Sequence, residues 1–206
     1  MEFLPEQFDP WAENYDNDVK AESGFPFTGY AHLFNSMVEL AHLKPGELVL
    51  DLGCGTGNLG AAFLTKGCSV WASDFSSRMI DKARNKYPSI QFAMADVRDP
   101  LPSGFPEKYD VIVSAYVFHH FPISVKIEQI LRYWNKYLNP GGRLIIGDLM
   151  FTSNSEMQKV ASQYSDSWEE EFYWVLDQDL PLMKKSNLNP HYQQISLCAG
   201  LLAFGL

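Results

Sequence analysis

A mainly apolar run of five residues, Leu48-Val-Leu-Asp-Leu52, ends against three alternating glycines, Gly53, Gly55 and Gly57. The run is too short for a helix and is closed by residues that end regular structure, so it reads as a buried strand. Glycines that follow a strand and open a helix let the chain turn sharply and let a ligand approach the backbone. In an open parallel sheet such a turn lies outside the carboxyl ends of the strands, where ligands bind.

The flanking pattern fits that sheet. Ahead of the run, Tyr30, Leu33, Phe34, Met37, Val38 and Ala41 recur at helical spacing, up to a stop at Lys44-Pro45-Gly46. After it, Leu59 to Lys66 reads as a helix ended by Gly67, and Cys68 to Ser73 as a second strand. Ser76 is placed to cap a helix carrying Met79, Ile80 and Ala83, which ends near Tyr87-Pro88. Ile90 to Ala95 and Val111 to Tyr116 are strands three and four. A stripe of Ile127, Ile130, Leu131, Trp134 and Leu138 predicts a helix as far as Asn139-Pro-Gly-Gly142, before a fifth strand at Leu144 to Asp148. Continuous apolar strands alternating with helices predict a doubly wound α/β fold.

The tail breaks the alternation. Residues 153–185 read as mostly helical, acidic around Trp168 to Glu171, and are followed by two strand-like runs, Tyr192 to Leu197 and Gly200 to Leu206. Strands that close together pair as an antiparallel hairpin. The expectation is a mostly parallel seven-stranded sheet ending in a hairpin. It forms one domain, with 1–44 as lid and helix, 45–150 as core, and 151–206 as helical segment and hairpin.

Composition narrows the partners. With 16 Lys plus Arg against 25 Asp plus Glu, the formal net charge is -9. That repels a phosphate backbone, so no nucleic acid partner is expected. No stretch reaches the roughly 18 apolar residues needed to span a bilayer, so no membrane partner is expected. The opening Met1-Glu-Phe-Leu-Pro-Glu carries acid where a signal peptide needs basic residues. Cys54, Cys68 and Cys198 are odd in number and widely spaced, which suits free thiols in a reducing cytoplasm.

Three acids end three successive strands: Asp51, Asp74 and Asp96. Singly, Asp51 and Asp74 also read as helix caps and Asp96 as a solvated turn residue. Gly55-Thr-Gly57-Asn-Leu-Gly60 is a literal G-x-G-x-x-G with Asp74 about 20 residues on, the pattern of a dinucleotide site. Asp51 argues against that reading, because a carboxylate before the loop repels a pyrophosphate and attracts a cationic ligand.

Asp51-Leu-Gly53-Cys-Gly55-Thr-Gly57 resembles motif I of the class I S-adenosylmethionine-dependent methyltransferases. Asp74, Ala95-Asp96, Ser114 to His120, Asn139 to Gly142 and the closing hairpin follow in that family's order. Trp11-Ala-Glu-Asn-Tyr15-Asp16 and Gln194 to Gly200 are similar to a group of small bacterial methyltransferases. The resemblance implies a Rossmann-like fold and S-adenosyl-L-methionine as cofactor. Gly53 and Gly55 would meet its methionine part, with Asp51 near the amino group. Asp74 would accept the ribose hydroxyls, a task for a two-oxygen acceptor. Phe75 and Met79 would flank the adenine, Asp96 and the backbone of Val97 would hold its polar edge, and Ser114 with Ala115 would line the far wall.

The methyl acceptor is expected to be a small molecule, with its identity open. A protein that binds the cofactor without catalysis, and a nicotinamide-dependent oxidoreductase, are the alternatives. Tyr15 is the candidate to close over the site, within an aromatic lead of Phe8, Trp11, Phe25, Phe27 and Tyr30 that can exclude water or simply pack the first helix. His119 and His120 read either as base and acceptor contact or as packing residues, and no metal is expected because no third ligand stands at useful spacing. Asp148 reads equally as facing the acceptor or solvated. Trp168, Phe172, Tyr173 and Trp174 read as the underside of a helix, or as a substrate or homodimer surface, and Glu169 to Glu171 as a solvated face.

Overall fold

The computed structural model describes residues 9–21 and 24–206, with Trp11 given by its backbone alone. Phe8 and the ring of Trp11 therefore lie outside the described residues. In chain order the helices are α1 (Tyr15–Ala21), α2 (Tyr30–Leu40), α3 (Asn58–Leu64), α4 (Ser77–Lys86), α5 (Ile123–Arg132), α6 (Asn154–Gln163) and α7 (Leu176–Lys185). The strands are β1 (Leu48–Leu52), β2 (Ser69–Asp74), β3 (Gln91–Met94), β4 (Tyr109–Ala115), β5 (Leu138–Phe151), β6 (Trp174–Val175), β7 (His191–Gln194) and β8 (Ala199–Phe204).

They form one sheet in the order β3-β2-β1-β4-β5-β8-β7, with β6 paired to β5 off that path. The strands from β3 to β5 run parallel, while β8 is antiparallel to both β5 and β7. The order reverses direction beside β1, which puts a crevice at the carboxyl ends of β1 and β4.

The apolar strands are continuous because both faces are covered. Alternate residues feed two separate cores. Leu50, Leu52, Ile112, Ile146 and Leu202 pack with Ile130 of α5 and Met183 of α7. Val49, Val111, Val113, Ile145 and Leu201 pack on the other side with Leu33 and Met37 of α2 and Phe63 of α3. Ser76 caps α4 as expected, its hydroxyl accepting from the Met79 amide at 3.2 Å.

The structure departs from the sequence expectation in three places. Helix α5 stops at Arg132, and a π turn over Tyr133–Tyr137 carries the chain on. Leu138 is therefore not helical: it pairs with Tyr109 at the start of β5. The sheet has eight strands rather than seven, because Trp174–Val175 pairs with the end of β5. Finally, 164–173 is irregular rather than helical. Trp168 and Tyr173 pack against Phe25 and Phe151 as an aromatic cluster, and no helix face could present them that way. Among the described residues, no helix is long and apolar enough to cross a membrane.

Candidate active site

The glycine loop is fixed from both sides. The amides of Gly53 and Cys54 donate to the carbonyl of Ser73 at 2.8 and 2.9 Å, tying the loop to the end of β2. Gly53, Gly55 and Gly57 all have positive φ. A Cβ on Gly53 would stand 2.2 Å from Val117 Cγ2, at a φ of +67°. Gly53→Ala is therefore expected to cost about 1–3 kcal/mol of stability through backbone strain and the displaced Val117. Urea denaturation checks this, and a loss under about 0.5 kcal/mol would refute the crowding argument. Gly60, the last glycine of the G-x-G-x-x-G, lies inside α3, where a Cβ would come within 3.2 Å of Asp51 Oδ2.

A cavity of about 610 Å³ opens in front of this loop. Its wall at the loop end includes Gly53, Gly55, Asp74, Phe75, Met79, Asp96 and Val97, so seven of the residues singled out from sequence are brought together. Asp74 is the most firmly placed. Its carboxylate accepts from the amides of Gly55 at 2.8 Å and Ser76 at 2.9 Å. Burial lifts its pKa to about 6 against the pull of these amides, and the nearby Asp9 adds to the rise.

Two of the expected residues sit elsewhere. Asp51 is buried behind the loop and is absent from the cavity wall. Its Oδ2 has no hydrogen-bond partner among the described residues, and burial lifts its pKa to about 7. Ser114 faces across the sheet, its hydroxyl donating to the carbonyl of Leu52 at 2.8 Å, so it ties β4 to β1 and lines nothing. Ala115, Tyr116 and Val117 take the far wall instead.

Asp96 is on the wall but already engaged. Arg98 donates to it through its amide, Nε and Nη2, at 2.8, 2.9 and 2.6 Å. Burial opposes ionisation of Asp96, but the Arg98 bonds and charge outweigh it and hold the carboxyl below its usual range. An adenine amino group would share this carboxylate with the guanidinium, an arrangement the sequence reading did not include.

The lead is pinned over the loop. Tyr15 lies on the cavity wall, with its ring edge 3.8 Å from where a Cβ on Gly55 would be. The next residue does the fastening. Asp16 accepts from Thr56 Oγ1 at 2.6 Å, Asn58 Nδ2 at 3.1 Å and Lys86 Nζ at 2.7 Å. Lys82 Nζ donates to the carbonyls of Ala12 and Glu13 at 2.7 and 2.8 Å. Burial and the neighbouring Tyr30 keep the Tyr15 phenol protonated, far above its ordinary range. Phe27 and Tyr116 pack around Tyr15 and Tyr30; Tyr15, Phe27 and Tyr116 line the cavity, while Tyr30 packs behind them at the start of α2.

The far end of the cavity is polar. Asp148, fully buried at the end of β5, accepts from His119 through its amide at 2.9 Å and Nδ1 at 2.5 Å. It also accepts from Trp174 Nε1 at 3.1 Å and the Leu149 amide at 2.8 Å. Asp148 is thus neither solvated nor on the cavity wall. Glu171 meets His119 Nε2 at 3.3 Å and His120 Nδ1 at 3.0 Å. Burial works against a charge on His119, yet Asp148 and then Glu171 raise its pKa above the ordinary value. Burial, followed by His119, lowers that of His120.

Glu171, which sequence spacing did not bring to the histidines, stands beside them: His119, His120 and Glu171 have donor atoms within 4.8 Å of one another. The acidic stretch is solvated at Glu169 and Glu170, as expected, while Glu171 is half-buried; Glu169 and Glu171 line the cavity. Trp168 and Tyr173 cluster beside it, Trp174 is buried under α5, and of the four aromatics only Phe172 is exposed.

A glycine loop after β1 and carboxylates closing the next two strands around one cavity define a nucleoside-binding α/β fold. A family model described as a methyltransferase domain matches residues 49–142. The chain is 29% identical to an uncharacterized methyltransferase of Geobacillus kaustophilus, over 94% of this chain and 92% of that one. It is 31% identical to one of Geobacillus thermodenitrificans, over 85% and 84%. Magnesium protoporphyrin IX methyltransferase from Synechocystis, solved with bound SAH, matches with a TM-score of 0.70 at 18% identity. That match covers 97% of this chain and 96% of the other, and it shows the shared fold. The chain belongs to the class I S-adenosylmethionine-dependent methyltransferases, as its motif I implied.

Proposed function

We propose that the protein transfers a methyl group from S-adenosylmethionine to a small molecule taken up at the His119 end of the cavity. The observation that carries this reading is Asp74. Its carboxylate is held by backbone amides, those of Gly55 and Ser76 among them, on the wall of a cavity that begins at the glycine loop, and a two-oxygen acceptor in that place suits a diol.

When bound, the cofactor supplies a methyl group on a sulfonium, already activated for displacement. The protein's task is then binding, alignment and exclusion of water. Gly53 and Gly55 offer bare backbone to the methionine part, Phe75 and Met79 flank the adenine, and Asp96 with Val97 meets its edge. Tyr15, fastened through Asp16, closes the loop side against water. His119, His120 and Glu171 meet the acceptor's heteroatom. The lead, core and tail work as one domain, because all three contribute to the cavity wall.

Calorimetric titration with S-adenosylmethionine and S-adenosylhomocysteine tests this reading. Saturable micromolar binding is expected; no binding to the folded protein would overturn it. The titration also carries a pH signature. The acceptor form of Asp74 is the carboxylate, and its pKa is raised to about 6, so it is charged above that pH and neutral below. Affinity for S-adenosylhomocysteine is expected to be level above about pH 7 and to fall as pH drops through 6. Asp74→Asn should abolish that step. An equally steep fall in the variant would assign the titration to another group.

A further inference from the structure

We infer that His119, His120 and Glu171 form a site for a zinc-type divalent ion at the far end of the cavity. Their ligand atoms lie within 4.8 Å of one another. The two oxygens of Glu171 already face the two imidazoles, at 3.3 Å from His119 Nε2 and 3.0 Å from His120 Nδ1. Ligands about 2.0–2.2 Å from a tetrahedral zinc stand roughly 3.4 Å apart; the two His–Glu171 separations are near that value, and the set as a whole, within 4.8 Å, would draw in on binding an ion.

The surroundings suit an ion as well. Asp148 fixes the Nδ1 side of His119, which leaves Nε2 to point at Glu171. The Asp148 carboxylate is itself held by the Leu149 amide and Trp174 Nε1. A buried carboxylate behind a histidine is the outer support that orients a ligating imidazole. Two nitrogens and a carboxylate favour zinc over calcium or magnesium, which prefer all-oxygen sets. The positive group behind the site is drawn off: Lys126 Nζ bonds the carbonyl of Phe172 and lies 4.1 Å from the centre of the Trp174 ring.

Three protein ligands leave a fourth position open, and all three residues line the cavity. A thiol or hydroxyl of the acceptor would fill it, displacing water and releasing its proton to solvent as the ligand bond forms. Ion binding stands independently of the methyltransferase reading; this role of the open position rests on it.

The test uses the whole protein, stripped with a chelator and titrated with zinc. One equivalent per chain at micromolar or tighter Kd is expected. His120→Ala and Glu171→Gln should each weaken binding at least tenfold while leaving S-adenosylhomocysteine affinity unchanged. Cobalt in place of zinc should give visible bands of a four-coordinate site without a thiolate charge-transfer band. Failure of the folded protein to bind zinc, or variants that bind it as tightly, would leave only a hydrogen-bonded cluster and overturn the proposal. A thiolate band would overturn it too, by assigning the ion to a cysteine. If a variant fails to fold, the cobalt spectrum of the unaltered protein decides. Titration of the metal-free protein with S-adenosylhomocysteine reports on the methyltransferase reading separately.

Discussion

Asp74→Ala will weaken S-adenosylhomocysteine binding by about 1.5–3 kcal/mol, roughly 10- to 150-fold in Kd. The size follows from the proposed role of this buried carboxylate as a charge-assisted acceptor for the ribose hydroxyls. The variant also orphans the amides of Gly55 and Ser76, which now donate to Asp74. Part of the loss will therefore come from a loosened glycine loop, and Asp74→Asn separates the two effects by keeping an acceptor oxygen in place. Calorimetry on both variants, with folding checked by circular dichroism, measures the difference. An unchanged Kd in folded Asp74→Ala would remove Asp74 from the cofactor site.

Asp148→Ala will have the largest effect on stability, about 3–5 kcal/mol. This residue is fully buried and accepts from four donors: two on His119, one on Leu149 and one on Trp174. Removing it leaves those donors without an acceptor in a place water does not reach, and takes away the negative partner of a raised-pKa histidine. A domain of this kind has only about 5–15 kcal/mol to lose. Urea denaturation of both forms gives the number, and a change under about 1 kcal/mol would mean the donors find other partners.

The sheet was legible because its signals are local. Leu48 to Leu52 is apolar at every position but Asp51, Ser76 stands at the cap, and Gly57 and Gly67 adopt the positive φ that marks their turns. The loop end of the site was legible for the same reason, since Asp74 and Asp96 occupy strand ends that any parallel sheet brings together. What the sequence hid depends on contacts between distant segments. Glu171 reaches His120 across 51 residues, and Asp16 reaches Lys86 across 70. No periodicity encodes either pairing. Ser114 was misplaced by a subtler error: strand residues alternate faces, and a one-residue offset decides whether a side chain meets the cavity or the neighbouring strand. The stretch 164–173 looked helical by composition, but its rings gain more by clustering around Phe25 than by lying along a helix.

The two ends of the cavity are built from different kinds of chain. The loop end is made of strand termini and helix starts whose geometry the sheet cannot relinquish. Much of the far end hangs on one irregular connection between α6 and β6, which takes no part in the main ladder. Substitutions there touch no strand of the main ladder, so on the proposed function the acceptor end can be reshaped while the glycine loop and Asp74 keep their places.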